Sequence, residues 1–583
     1  MFEKKLLPFY GLLGINVILF FYFLVTNSYP TFLMLSNIVS VIALWVWVGK
    51  QEEGLFTTKK YRIDLIIVVC LFLLAMVMYL YNIDVVTPGI DNDEITYALL
   101  SEHMVSVPGL PPFVADAFGH PTPYLYLSGV ILHTFGRSIM AIRLVYILFG
   151  ALSIAAFYVL QRLFFNKTIS ITGSLLMTFS YPFIIISRLA HEITPMVFFQ
   201  ILSIIFLTLA WKKKNKWYYA AFGLSLGMGF YTYVGYRTFA PLAILIAVYL
   251  IFKSASSVKK RIALYVITFA AFFISLAPLA SYSIDNMQSI MERTAMLSAT
   301  TQGFDNSEVT VEIAANFGRL PRLFFMGDPN AGPNGYNDFL KNPANVSTFD
   351  VGTFIFLVIG TGFLLKTNRK LLFIIAILAI SPLVNDVLVV ERIPEAMHPM
   401  GMGHPNTLRI AEIIPLIYFI ISYGVDRLRL LLKNGSMNFF YITFVFLALI
   451  MINNWYLYYE QPMDKEFSLY IDVYNGVYVM DIVNLINKNN IKEVAVSPQI
   501  QTDSRFKYFI NKEVTVKTYA PKTYADAIQQ AKESQVTFYY LPYDKDLTQQ
   551  IVAHGQVQGL QIQPFALPQI PSYTYGLVMV NTQ

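Results

Sequence analysis

What most constrains this chain is the recurrence of apolar runs about as long as a bilayer is thick. Segments near residues 7–26, 30–48, 63–82, 142–161, 169–187, 195–211, 217–233, 237–252, 262–282, 351–366, 371–389, 408–426 and 437–457 are dominated by Leu, Ile, Phe and Val. Roughly 20 such residues cross the hydrocarbon layer as a helix, and in lipid each backbone N–H and C=O must find its partner within the protein. Of 583 residues, 56% are hydrophobic and only 13% charged. A mean hydropathy of +0.54 exceeds what the surface of a soluble globular chain carries. The sequence therefore predicts an α-helical polytopic membrane protein with about 13 transmembrane helices.

Basic residues orient these spans. Lys4 with Lys5, the Lys50–Arg62 stretch, Arg162 with Lys167, "WKKKNKW", "KSASSVKKR", "KTNRK" and "DRLRLLLKN" fall on alternate loops, so all can be cytoplasmic together. The first run follows Lys4 and Lys5 as a signal sequence would, but it is long enough to span and is read as a retained helix. The apolar piece 121–136 is short for a span and is expected as a juxtamembrane helix on the outer surface. The net charge of +6 belongs to the cytoplasmic loops and does not suggest a nucleic-acid partner. The sole cysteine, Cys70, lies in an apolar run, which excludes an intrachain disulfide or a Cys-based metal site.

With this orientation the outer face receives the 83–141 loop, "SRLAHEITP", "YTYVGYR", a long loop at 283–350, "ERIPEAMHPMGMGHPNTLR" and the C-terminus. Alternating apolar strand patterns and helical patterns in the last 120 or so residues indicate a small extracytoplasmic α/β domain. Asp91, Asp93, Glu94 and Glu102 cluster just beyond the third span. A carboxylate held at the membrane edge can act as a general base, although a solvated acidic loop has the same composition. Downstream lie His120, Arg143, Arg188, His191, Glu192, Tyr233, Arg237, Arg392, His398, His404 and Arg409. Arg188 and Glu192 would face each other if that turn stayed helical. Each arginine alone could be an interfacial anchor.

In order, "DNDEITYALLSEHM", "GHPTPYLYLSGVILHTFGRSIMAIRLVYILFGALSIAAFYVLQRLF", "SRLAHEITPMVFF" and "YTYVGYRTFAPL" resemble the GT-C fold lipid-phosphate-sugar transferases. These include the protein O-mannosyltransferases and the ArnT-like, PMT-type glycosyltransferases. The resemblance covers residues 63–280 well, is looser to 457, and does not reach the C-terminal domain. Together with the hydropathy and strand patterns it divides the chain into an N-terminal transmembrane hairpin at 1–62, a GT-C catalytic domain at 63–457 with outer loops 83–141 and 283–350, and an extracytoplasmic α/β domain at 458–583. It implies further that Asp93 is the catalytic carboxylate with Glu94 beside it, that Tyr97 is the motif tyrosine, and that His120 lies close to the site. Glu192 resembles the second acidic residue, and Arg409 the basic residue near the donor phosphate. Ile95 and Thr96 depart from the small and basic residues common within the motif, and Thr122 interrupts its paired prolines.

The chemistry this implies is transfer of a sugar from a polyprenyl-phosphate donor to an acceptor hydroxyl on a lipid, glycan or protein. Arg188, Arg237 or Arg409 would grip the phosphate, with His120 among the phosphate contacts. Tyr97, His191, Tyr233 and His398 are candidate acceptor or sugar contacts. Asp93 would accept the hydroxyl proton, and the anomeric carbon would invert. A divalent cation could serve the leaving phosphate, but the two histidines of "HPMGMGH" match no strong ligand pattern, and no obligatory metal is expected. Rival readings are a transporter or flippase, which would place acids near the midplane of broken helices, an O-antigen-ligase-like transferase, and a non-catalytic scaffold.

Overall fold

The computed structural model describes residues 7–50, 59–84, 86, 89–296, 306–325, 347–388, 408–432, 437–459, 476–518, 523–533, 537–540, 550, 553–554, 561–566 and 574–580. These residues form two compact units. The first comprises Met1–Ile83, Leu100–Thr134 and Met140–Gln461, and the second Asp84–Leu99, Phe135–Ile139 and Pro462–Gln583.

The first unit is helical, and a helix stands at every expected apolar run. Eight helices among the described residues are long and apolar enough to cross a membrane, or nine if a bent pair is one span. Side chains such as Ile18, Val25, Phe32 and Val77 are exposed on these helices, which suits a hydrocarbon solvent. The chain is thus a multi-pass membrane protein.

Three expected spans differ in detail. The 169–187 run breaks into Lys167–Thr178 and Tyr181–Arg188, bent by 61°, because Pro182 opens a new first turn. Ser180 caps that turn, accepting from the Phe183 amide at 3.3 Å. The 217–233 run is helical only over Lys216–Gly229. The 408–426 run begins its helix at Ile413 and continues to Leu432, since Pro415 fits a first turn better than a helix interior. The 121–136 piece is helical over Pro123–Phe135.

Small residues allow close helix packing here, as in other membrane proteins. A Cβ on Gly223 would meet the Thr268 carbonyl oxygen at 2.2 Å, and one on Gly227 would strike the Ser275 side chain. The Lys216–Gly229 and Val258–Asp285 helices thereby approach backbone to backbone. The N-terminal hairpin packs on the same pair through Phe9, Val41 and Leu44. Asn37 pins it by donating to Asn16 at 2.6 Å and to the Ile274 carbonyl at 2.8 Å.

The second unit contains a five-stranded sheet. Its strands are β3 (Glu493–Val496), β4 (Thr515–Thr518), β5 (Thr537–Tyr540), β6 (Gln561–Ala566) and β7 (Thr574–Val580), in the order β4-β3-β5-β7-β6. β3 runs parallel to β4 and β5, while β7 is antiparallel to β5 and β6. The Val477–Lys488 helix lays Val479, Ile482, Val483 and Ile486 against Val494 and Val496 of β3, a period-3.6 stripe on alternate strand residues. The strands β1 (Phe113–Val114) and β2 (His120–Pro121) belong to the first unit and form a small hairpin.

Candidate active site

The hairpin of β1 and β2 owes its turn to three successive residues with positive φ, Ala117, Phe118 and Gly119. At Gly119 a Cβ would meet the Phe113 ring at 2.6 Å, so glycine is required. Thr122 holds the base of the turn, its hydroxyl donating to Pro111 at 2.5 Å and its amide to Pro112 at 3.2 Å. The residue that interrupts the paired prolines thus has a structural task. The hairpin turns His120 inward, where Nδ1 lies 2.7 Å from Glu192 Oε1 and Nε2 lies 2.8 Å from the Ala117 carbonyl oxygen.

A carbonyl only accepts, so Nε2 donates to Ala117, and Nδ1 faces the Glu192 carboxyl. The His120 and Glu192 side chains are only 5% and 2% exposed. Glu192 is the N-cap of the Ile193–Lys213 helix but makes no side-chain cap bond; its carboxylate is turned to His120.

The turn between Arg188 and Glu192 does not stay helical, because Leu189 is extended. The expected one-turn pairing of these two residues therefore loses its geometric basis. Arg188 is fully buried and donates to the carbonyls of Tyr79 at 2.9 Å, Tyr81 at 2.6 Å and Asn82 at 3.2 Å. Its guanidinium lies over the rings of Tyr458 and Tyr459. It thus caps the end of the Lys59–Leu80 helix, satisfying carbonyls that a helix terminus leaves open.

Arg237 is half-buried and donates to the Ile290 carbonyl at 2.9 Å. Arg409 is half-buried in the turn before the Ile413–Leu432 helix. His191 stacks edge-on to Tyr233 with ring centroids 5.6 Å apart. Arg143 is fully buried. Arg392, His398 and His404 lie outside the described residues, as does most of the 283–350 loop beyond the helices Met287–Met296 and Asn306–Phe325.

Asp93 and Glu94 stand in the first turn of the Asn92–Ser106 helix, where the helix dipole favours negative charge. Asp91 Oδ1 accepts from the Asp93 amide at 3.3 Å, and Glu94 Oε2 accepts from the Asp91 amide at 3.2 Å. This is a capping box. Asp91 and Glu94 are buried, whereas Asp93 is exposed. Asp91 and Glu94 thus build the helix start, with Asp93 between them at the exposed position. Tyr97, one turn on, is buried. Among the described residues no group of three or more His, Cys, Asp or Glu is placed to hold a metal ion.

Within the first unit an apolar cavity of about 80 Å³ is lined by Trp211, Leu378 and Phe419, with Phe239, Ala243, Ile246 and Leu250 along one helix face. That face extends over three turns, about 16 Å. Beside it lies a network that sequence reading did not find. Ser381 donates to the fully buried Glu412 at 2.5 Å, and Thr238 meets both Ser381 at 2.7 Å and Asn385 at 2.8 Å.

Residues 119–281 match the family described as dolichyl-phosphate-mannose-protein mannosyltransferase, PMT_2. The match bears out the PMT-type resemblance over much of its best-covered stretch and contains His120, Arg188, His191, Glu192, Tyr233 and Arg237. No curated protein matches. Among solved structures, the chain is similar to ArnT from Cupriavidus metallidurans bound to undecaprenyl phosphate, at 12% identity over 88% of this chain and 99% of that one, TM-score 0.45. It is also similar to the S. cerevisiae Pmt1-Pmt2 complex bound to the sugar donor, at 16% identity over 44% of this chain and 37% of that one, TM-score 0.31. A third is arabinosyltransferase EmbB from Mycobacterium smegmatis, at 11% identity over 79% of this chain and 44% of that one, TM-score 0.40.

Proposed function

We propose that this chain is a membrane glycosyltransferase that moves a sugar from a polyprenyl-phosphate donor to an acceptor hydroxyl at the extracytoplasmic face, with inversion. The observation that carries this reading is the family match over 119–281, a segment that includes the buried His120–Glu192 pair.

Asp93 is the general base in this reading. Glu94 and Asp91 serve the helix cap, and Asp93 is the exposed member of the three. The acceptor oxygen attacks the anomeric carbon on the face opposite the phosphate. The bond from that carbon to the phosphate oxygen breaks, the acceptor proton passes to the Asp93 carboxylate, and polyprenyl phosphate leaves as an anion. That anion needs preorganised positive charge, for which the half-buried Arg237 and Arg409 are suited. Arg188, with donors on three carbonyls, holds the end of the Lys59–Leu80 helix instead. Glu192 and His120 fix each other within the matched segment. His191, Tyr97, Tyr233 and His398 are assigned to the sugar or acceptor. The apolar lining of the cavity suits hydrocarbon, and it would hold part of the donor's tail.

The test is transfer from a panel of radiolabelled polyprenyl-phosphate sugars in proteoliposomes, with and without Mg²⁺ or Mn²⁺, for wild type, Asp93→Asn and Glu94→Gln. Asp93→Asn should lower turnover by about 10²–10⁴-fold with donor binding retained. Glu94→Gln should keep the cap and most activity, because Gln serves at that capping position. If no monophosphate-linked donor is consumed and substrate instead drives proton movement, the transporter reading replaces this one.

A further inference from the structure

The resemblance and the family match leave the C-terminal unit without a task, yet that unit includes the stretch that begins the Asp93 helix. Besides Pro462–Gln583 it contains Asp84–Leu99 and Phe135–Ile139. Both inserted pieces meet one short helix, Ser504–Phe509. Arg505 Nη1 approaches the Ile90 carbonyl oxygen at 3.4 Å. Three residues on, the Tyr508 carbonyl accepts from Arg137 Nη1 at 2.7 Å, and the Arg137 guanidinium lies 4.2 Å from the Tyr508 ring centroid. Residues three apart share a helix face. A single face of six residues therefore receives both pieces.

Arg505 is built into place. Its Nε and Nη2 bind the two Asp503 carboxylate oxygens at 2.9 and 2.7 Å, a forked pairing that fixes the guanidinium plane. Gly476, at φ +53°, leaves the room it occupies, for a Cβ there would fall 2.4 Å from the guanidinium carbon. Arg505 is only 4% exposed. The Ile90 contact is long for a neutral hydrogen bond, but the donor is fully charged and shielded from water, where such contacts gain weight. Ile90 immediately precedes Asp91, the N-cap that bonds the Asp93 amide.

We infer that the C-terminal domain acts as the mount for the catalytic acid turn, and that Arg505 is a positioning residue holding Ile90, and through it the Asp91–Glu94 cap, in register. This rests on the reading of Asp93 as the general base. Arg505 acts through the backbone of that turn, and its Asp503 partner keeps it from swinging away.

The experiment uses the full-length protein in proteoliposomes. Because Arg505→Gln alone leaves Asp503 without its cation, the main variant is the charge-balanced pair Arg505→Gln with Asp503→Asn. Arg505→Lys is the conservative rescue, and Lys507→Ala, on the exposed side of the same helix, is the control. Amide hydrogen exchange of residues 90–97 is read beside kcat and KM on the radiolabelled donor panel. The expected result is exchange of residues 90–95 faster by about tenfold, with exchange across 476–496 unchanged. With it kcat falls by about 10²-fold while donor KM shifts less than about twofold. Arg505→Lys recovers part of both, and Lys507→Ala matches wild type. Unchanged exchange at 90–95, or equal loosening across the whole C-terminal domain, overturns the inference. If wild type transfers no sugar while the exchange shift appears, the mount stands and the reading of Asp93 fails.

Discussion

Removing either member of the His120–Glu192 pair is expected to destabilise the protein far more than a surface ion pair would. The two side chains meet at 2.7 Å with 5% and 2% exposure, and the second imidazole nitrogen is held by the Ala117 carbonyl. Neither group can turn to water if its partner goes. Breaking a buried pair from one side costs about 3–5 kcal/mol, against about 0–1 kcal/mol for an exposed pair. Glu192→Ala and His120→Ala should each reach that range, and the double variant should fall short of their sum by about 1.5–3 kcal/mol. The assay is a double-mutant cycle by reversible unfolding in mixed micelles titrated with dodecyl sulfate, followed by tryptophan fluorescence. Single-variant costs under about 1 kcal/mol, or additivity within about 0.5 kcal/mol, would refute the argument. Such results would mean that the site is wet enough to solvate either group alone.

Other substitutions probe the frame around the site. Gly119→Ala forces an alanine to φ +85° against the Phe113 ring and should cost about 1–3 kcal/mol, seen as a lower unfolding midpoint in the same titration. Gly223→Val should separate the Lys216–Gly229 and Val258–Asp285 helices, because its Cβ meets the Thr268 carbonyl oxygen at 2.2 Å. A cost of at least about 1–3 kcal/mol would appear as lost monodisperse protein. Thr122→Pro restores the paired prolines but deletes both donors to Pro111 and Pro112, and should destabilise by about 1–3 kcal/mol. In the C-terminal domain, burial pushes the Asp481 carboxyl from 3.8 up to about 6. The folded state therefore holds this proton more tightly than the unfolded chain. The favourable contribution is complete below pH 4, falls as pH rises, and is gone above about 6, a swing of at most about 3 kcal/mol. Asp481→Asn should abolish that slope and slow amide exchange of the Val477–Lys488 helix at pH 7.

The spans were legible because hydrocarbon imposes one solution on a long apolar run, and helices stand at all of those positions. The break at Ser180–Pro182 was written in the sequence too, but averaging hydropathy over a window hides a proline flanked by Tyr181 and Phe183. The capping box was likewise present in the spacing of Asp91 and Glu94, and it separates Asp93 from its neighbours without any tertiary information. The partners of Arg188 were not legible. Three main-chain carbonyls more than a hundred residues away leave no mark in the identities of Tyr79, Tyr81 and Asn82. His120 and Glu192, 72 residues apart, stood among the outer-face candidates, but nothing in the sequence pairs one with the other. The order of the C-terminal sheet depends on pairings that strand pattern alone does not rank. β4 and β6, with polar residues at alternate positions, did not stand out as strands at all.

The two short helices joined at Ser180 have a consequence for how this protein can change over time. In one unbroken helix, inserting or deleting a residue rotates everything beyond it by about 100°, so a change near Lys167 would swing Arg188 away from its carbonyls. Here each half has its own cap, Asn166 for the first and Ser180 for the second, and the 61° bend sets them as separate rods. Rotational phase is not transmitted across the joint. The half that leads to Arg188 and Glu192 can keep its facing while the other half drifts in length or register, so the chemistry at one end is insulated from variation at the other.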